Sequence, residues 1–328
     1  MNTSVDEVAV TTPARRAIAA EPVGIDWTPN LPIFAKGEFL KAVGDEYGWL
    51  GGFDHSGTQR CILPYTIVHK AGLRLVRFRV ETIPCGPGLD AAEEKSFLNS
   101  VVEHFREAGA DVIIPASNNT LFRTYPDGAK AAPYGSYVID LRQPEEMLWK
   151  NIERKTRESI TKARKDGVSV REGIEFLDPA YDLIRETFRR SKLAFMERDA
   201  FRELVIALGE HGKLMMAEYQ GVAQNYSLYA WSAPCAYAIY SGNTHRQHKG
   251  AYKLVQWEAI RFFRNLGILK FDFYGARINP RKDSKQESIN LTKERFGATL
   301  ARGYMWKHPL RPSRASNSRA PSRRPRAS

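Results

Sequence analysis

Residues 262–276 read FFRNLGILKFDFYGA, and residues 105–115 read FREAGADVIIP. Phe105 and Phe263, Arg106 and Arg264, and Gly109 and Gly267 recur at one offset of 158 residues. In each copy an amphipathic helix closes at a glycine and an apolar strand opens. Glycine suits that place because the residue after a helix's last turn commonly enters the left-handed region, where a Cβ is penalised.

The surroundings of the two phrases agree as well. Ahead of the first, CILPYTIVHK (61–70) and LRLVRFRVETI (73–83) flank Ala71-Gly72 and read as a hairpin, and the turn-rich CGPGLD follows. Phe97, Val101, Val102, Phe105 and Ala108 then keep helical spacing from Ala91 to Ala108, Gly109 stops the helix, and DVIIPA is an apolar strand. Ahead of the second phrase stand KLMMAEYQ (213–220), a turn at Gly221, QNYSLYAWS (224–232), a turn at Pro234 and AYAIYSGN (236–243). The polar loop THRQHKG (244–250) leads into the helix AYKLVQWEAIRFFRNL, which Gly267 ends. F-R-x-x-G is a common way to finish a helix, so the argument for duplication rests on the shared order of elements. That order predicts an α/β (α+β) protein made of two copies of one unit.

Composition sets the outer limits. A chain of 328 residues with 43% hydrophobic content can bury two ordinary cores. Cys61, Cys85 and Cys235 form no CxxC pair, which argues against a disulfide framework or a zinc knuckle and for a reducing cytoplasmic setting, with all three as small buried hydrophobes. The N-terminus carries Asp6 and Glu7 without an apolar core of a leader, and no run reaches the roughly 18 apolar residues of a membrane span. The formal charge of +12 is half due to the last 18 residues, RPSRASNSRAPSRRPRAS, which hold six arginines and no acid. This tail reads as disordered and able to meet RNA or an anionic membrane surface by charge alone. Residues 1–22 read as a disordered lead-in, with order beginning near Trp27.

Between the copies lies LWKNIERKTRESITKARKDGV (148–168). Trp149, Ile152, Thr156, Ile160 and Ala163 make one stripe, while Lys150, Arg154, Arg157, Arg164 and Lys165 crowd another, as in one amphipathic helix ending at Gly167. Seven basic against three acidic residues in 150–166 is a lopsided count for a merely solvated face.

Three segments in order carry a family resemblance: K-T-R-x-x-I-x-K-A-x-K-x-G-V (155–168), L-x-x-W-E-A-I-x-x-x-x-x-L-G-I-x-x-F-D-F-x-G-A (254–276) and T-K-E-R-F-G-A (292–298). Together they resemble the Fem family of tRNA-dependent aminoacyltransferases that build peptidoglycan cross-bridges, over about Trp27 to Lys307. The resemblance implies two tandem GNAT-like domains packed face to face, 23–144 and 145–305. The basic helix 148–166 would open the second, and a basic tail 306–328 would follow, with GYMWKHPL returning to the first domain. It implies attack by an amine of a phosphate-bearing acceptor, a peptidoglycan precursor or a small-molecule amine, on an aminoacyl-tRNA ester, with no metal and no cofactor beyond that donor. Arg157 matches the place of a phosphate-holding arginine, flanked by Arg154 and Lys155, and a guanidinium fork is suited to phosphate. Lys293 matches a lysine that steadies the oxyanion, and Tyr240 a tyrosine that contacts the acceptor. Asp272 interrupts an apolar strand, so it must be paired or have its pKa raised; it is a candidate base or a geometric anchor. No stretch sustains the heptads of a coiled-coil arm, which leaves the arm-less type, some of whose members act on small amines such as antibiotics.

Two other readings compete. An acyl-CoA N-acyltransferase would hold pyrophosphate at Gln247 and Gly250, yet Tyr252 stands where the turn wants a small residue. A non-catalytic nucleic-acid-binding protein would use the basic helix and tail. His245 and His248 form an HxxH pair without further ligands in view, and GxSxG, Walker A and dinucleotide fingerprints are absent from the sequence.

Overall fold

The computed structural model describes residues 17–311. The first half runs β1 (Ala19–Val23), α1 (Gly37–Ala42), β2 (Glu46–Phe53), β3 (Gln59–Lys70), β4 (Leu73–Phe78), β5 (Ile83–Pro84), α2 (Ala91–Glu107), β6 (Val112–Ile113) and β7 (Lys130–Asp140). The second continues with α3 (Glu145–Asn151), α4 (Arg154–Lys165), β8 (Ser169–Glu172), α5 (Leu177–Arg190), α6 (Arg198–Leu208), β9 (Gly212–Tyr219), β10 (Val222–Ser232) and β11 (Cys235–Asn243). It ends with α7 (Ala251–Asn265), β12 (Lys270–Asp272), β13 (Ala276–Arg277), α8 (Lys285–Glu294) and β14 (Thr299–Pro309).

The echo in the sequence is an echo in topology. The β3–β4 hairpin turns through Ala71 and Gly72, and the β9–β10 hairpin through Gln220 and Gly221, all four with φ between 51° and 74°. Two left-handed residues in a row match the natural twist of a hairpin. Gly109 and Gly267 stop α2 and α7 at φ of 74° and 78°. After each glycine the chain enters a strand parallel to an earlier one: β6 beside β4, and β12 beside β11. The sheet is continuous, in the order β1-β2-β3-β4-β6-β14-β7-β12-β11-β10-β9-β8.

Two strands sew the halves together. β7 precedes residue 145 in sequence but pairs with β12 and β13 of the second half. β14 pairs with Lys130 to Val138 of β7 and ends on β6, so GYMWKHPL does return to the first unit, where Trp306 packs against Phe78 and Phe122. One core lies under α2 and another under α3, α4 and α7. A third joins Ile33, Phe34, Phe39 and Val80 to Tyr181, Phe201, Tyr226 and Tyr237, which presses the halves face to face.

Four expectations need correction. The lead-in is ordered from its last residues: β1 pairs with β2, and the N–H groups of Ile18 and Ala20 donate to Ser96 and Ser100 of α2. At the other end, Trp306–Pro309 belong to β14, while the Arg-rich residues 312–328 lie outside the described residues. Cys85 is exposed; only Cys61 and Cys235 are buried. The basic segment is two helices, because Ile152 and Glu153 are extended, with ψ of 136° and 137°.

The break in that segment has a visible cause. The Glu153 N–H donates to the carbonyl of Arg295, the residue that ends α8, at 2.8 Å. Nη1 of Arg157 then reaches back to the carbonyls of Lys150 and Ile152, each at 2.6 Å, and more weakly to Trp149 at 3.4 Å. A helix leaves its last carbonyls without partners, and here a cation supplies them. The inner stripe is nonetheless as read: Ile152, Thr156, Ile160 and Ala163 are buried. Arg157→Ala is expected to cost about 1–2 kcal/mol of unfolding free energy, measured by urea denaturation; an unchanged midpoint would contradict the capping role.

Candidate functional site

The sheet forks where β11 and β12 part. These parallel strands pair only at Ala236–Phe271 and Tyr237–Asp272, after which β11 runs on to Asn243 while the other chain turns away. Asp272 stands at the apex and is 6% exposed. Its Oδ1 accepts hydrogen bonds from the Ser136 hydroxyl and, at 2.6 Å, from the Tyr274 N–H. The turn that follows is left-handed at Tyr274 and Gly275, with φ of 60° and 83°. A Cβ on Gly275 would lie 2.4 Å from the Tyr134 hydroxyl and 2.5 Å from the Asn118 carbonyl, so only glycine fits. Lys293, in the last turn of α8 and 9% exposed, donates to the Gly275 carbonyl.

Electrostatics tie the two buried groups together. Burial pushes the Asp272 carboxyl up to about 6, while its bonds to Ser136 and Tyr274 and the nearby Lys293 charge pull the other way. Burial pushes the Lys293 ammonium down to about 8 against the attraction of Asp272. Between those values both are charged, so the fork carries a carboxylate and an ammonium with little water around either.

The first half supplies the facing wall. Arg79, just past β4 and buried, donates through Nε to Thr66 Oγ1 at 2.9 Å and through Nη2 to the Val43 carbonyl. Burial, then the neighbouring Arg77, push it down to about 10. Glu81 is half-buried, and desolvation pushes its carboxyl up to about 7, with Asp272 and Glu94 adding to the rise. Tyr240 sits among Phe188, Phe195 and Phe201; burial raises its phenol while Arg77 and Arg79 oppose the rise. Ser136, Arg79, Glu81 and Tyr274 were not singled out in the sequence. The left-handed Tyr274-Gly275 pair was the available clue, as a Y-G step straight after an acid in an apolar strand.

The FemAB family matches residues 124–226. The structure of FemX is similar at a TM-score of 0.63 and 14% identity, over 86% of this chain and 96% of that one. The chain thus carries a FemAB-family segment on a fold shared with FemX. The FemAB match supports an acyl or aminoacyl transferase as the class of enzyme. A tandem GNAT protein from the clavulanic acid biosynthesis pathway is similar at a TM-score of 0.52 and 12% identity, covering 90% of this chain and 99% of that one. L-PGS from Bacillus licheniformis is similar at 0.50 and 12%, over 84% and 87%. A search of curated proteins by sequence found no match.

Against this Fem-type scaffold the expected site residues divide into groups. Asp272 and Lys293 come together at the fork, and Tyr240 is near enough to Arg77, Arg79 and Tyr274 to feel them electrostatically. Arg154, Lys155 and Arg157 are on α4; Arg154 pairs with Glu158 at 3.1 Å in solvent, Lys155 is exposed, and Arg157 caps α3. Arg154 and Arg157 line a shallow groove with Trp149, Lys162 and Lys165, and no hydrogen bond or ion pair joins that groove to Asp272 or Lys293 among the described residues. Gln247 and Gly250 lie at the start of α7, which α4 covers: a Cβ on Gly250 would meet the Ser159 carbonyl at 2.3 Å and the Ala163 side chain at 2.7 Å. His248 bonds to Asp166 at 2.8 Å and so fastens the same junction. No group of three or more His, Cys, Asp and Glu fit for a metal occurs among the described residues.

The cost of burying Asp272 separates a working residue from a structural one. Its folded value, about 6, exceeds the unfolded one, so the contribution to stability is present below about pH 4 and is lost as pH rises through 6, a loss of about 2–3 kcal/mol. Asn avoids that loss and can still accept from Ser136 and Tyr274. Asp272→Asn is therefore expected to match or exceed the parent in unfolding free energy at pH 7.5, with the difference shrinking below pH 4. Marked destabilisation at pH 7.5 would assign the carboxylate a structural task.

Proposed function

We propose that the chain transfers an aminoacyl group from aminoacyl-tRNA to an amine of an acceptor in the cleft between the halves, the acceptor being a peptidoglycan precursor or a small-molecule amine. The observation that carries this reading is the buried Asp272–Lys293 pair at the fork. The acceptor amine attacks the ester carbonyl, Asp272 takes the amine's proton, and the new C–N bond forms as the C–O bond to the tRNA ribose breaks. The proton then passes to the departing ribose oxygen, leaving an amide and free tRNA. Lys293 has three N–H groups and uses one on Gly275, so the others remain to meet the oxyanion. A preorganised cation of this kind is worth about 3–4 kcal/mol of barrier in the best cases. The tRNA would be drawn to the outer face of α4, where Arg154, Lys155, Lys162 and Lys165 stand in solvent.

Several observations weigh against acyl-CoA as donor. Pyrophosphate needs open backbone N–H groups at a helix start. At α7 that place is covered by Ser159 and Ala163; at α2 the Asp90 carboxylate already accepts from the N–H groups of Ala92 and Glu93, both at 2.8 Å, with Glu93 and Glu94 adding negative charge. A binding protein without catalysis would have no use for a carboxylate and a lysine kept buried together.

The direct test is a donor screen on the full chain, with charged tRNAs in one set and acyl-CoAs in the other, read by mass shift of candidate amine acceptors. Product that requires charged tRNA and disappears with RNase supports the reading; product from acyl-CoA alone overturns it. With the right donor, kcat/KM is expected to be bell-shaped, falling below about pH 6 as Asp272 gains a proton and above about pH 8 as Lys293 loses one. Lys293→Met is expected to lower kcat about 100-fold while the protein stays folded by circular dichroism. Near-normal turnover would remove the oxyanion role.

A further inference from the structure

Arg77 is a charged group near the fork that the mechanism above does not use. It lies on β4 opposite Thr66 of β3, two residues from Arg79 and therefore on the same face of the sheet. Its Nε is enclosed and has no hydrogen-bond partner. No ion pair joins either Arg77 or Arg79 to a carboxylate among the described residues. Arg79 spends its guanidinium on Thr66 and the Val43 carbonyl, whereas the Arg77 side chain makes no hydrogen bond among the described residues. Arg77 is close enough to Arg79, Tyr240 and Tyr274 to act on all three electrostatically. Two guanidiniums side by side repel, and an enclosed N–H without a partner costs free energy, so the arrangement is stable to the extent that an anion enters it.

We infer that Arg77, with the Tyr240 and Tyr274 hydroxyls, forms an oxyanion-binding subsite that anchors a carboxylate or phosphate of the acceptor. The inference rests on the transferase reading for its meaning, because Tyr274 is two residues beyond Asp272 and donates its N–H to that carboxylate. An anion held by Arg77 therefore places the rest of the acceptor at the fork. Acceptors are then selected for an acidic group close to the reacting amine, which excludes simple uncharged amines. The planar fork of arginine matches both carboxylate and phosphate, and Tyr hydroxyls can donate to either. Arg157 stands apart on α4, with its Nη1 on the carbonyls of Lys150 and Ile152.

The experiment uses the full chain without any donor. The melting temperature is followed with inorganic phosphate and, separately, acetate, each against chloride at matched ionic strength, since a ligand of the folded state raises stability with its concentration. At least one of the two ions is expected to raise the melting temperature of the parent and of Arg142→Gln, an exposed arginine elsewhere, and to lose most of that shift in Arg77→Gln. Which ion acts tells carboxylate from phosphate. Equal shifts in the parent and Arg77→Gln, or no shift with either ion, overturn the subsite. Arg77→Lys, which keeps the charge without the fork, covers the case of a Gln variant that does not fold; a full parental shift in the Lys variant likewise counts against guanidinium recognition. Once an acceptor is known, Arg77→Lys is expected to raise its KM at least tenfold with kcat little changed. Ion binding that depends on Arg77 in a protein inactive with charged tRNA would sink the transferase reading and leave the subsite standing. Transfer that ignores Arg77 would do the reverse.

Discussion

A carboxylate cannot be taken out of water without help, and the fork of the sheet is organised around the help given to Asp272. Two hydrogen bonds and one nearby ammonium hold it, and each comes from a different part of the chain. Ser136 belongs to β7, Tyr274 to the left-handed turn after β12, and Lys293 to α8. For Ser136 to be there, β7 must leave the first half and run beside β12. For the turn to close, residue 275 must be glycine, since Tyr134 and Asn118 occupy the space of a side chain. For Lys293 to be there, α8 must be anchored near the same turn, which Asn290 does by donating to the Arg277 carbonyl at 3.0 Å. Moving any one of these leaves a buried charge without compensation, a loss of several kcal/mol.

The same demand explains why the two repeated units are not equivalent. Each has the hairpin, the helix and the parallel strand, but only the second has its fork occupied by an acid and a lysine. In the first unit the strands stay together beyond the pairing of β4 with β6, as Ile114 and Ser117 donate to Val76 and Phe78. Its contribution is a wall of Arg77, Arg79 and Glu81 set against the second unit's Tyr240 and Tyr274. Both helix starts that would suit a pyrophosphate are closed, one by its own capping acid and the other by α4. The fold is shared with FemX and with a tandem GNAT protein.

Local rules made much of this legible in the sequence. Helix spacing with a closing glycine fixed α2 and α7 to within a residue or two, tight turns at Ala71-Gly72 and Gln220-Gly221 fixed two hairpins, and an acid inside an apolar strand singled out Asp272. Each signal is carried by residues within a few positions of one another, where propensity and periodicity act. Lys293 was legible only through a resemblance, because nothing within its own helix marks it as buried.

What tertiary structure alone decided depends on partners far along the chain. Helical periodicity runs straight through residues 148–168, with neither glycine nor proline before Gly167, yet the helix breaks at Ile152–Glu153 because Arg295 takes a backbone bond there. Arg157 has the chemistry of a phosphate ligand by type, and its position gives it three carbonyls to cap. Ala19–Val23 has too little apolar character to announce a strand, and becomes one because β2 offers an edge and two serines of α2 accept the N–H groups of Ile18 and Ala20. Sequence by itself determined the repeated unit and the acid at its fork. The pairing of β7 with the second half, which gathers Ser136, Asp272 and Lys293, was decided by long-range strand contacts that no local pattern encodes.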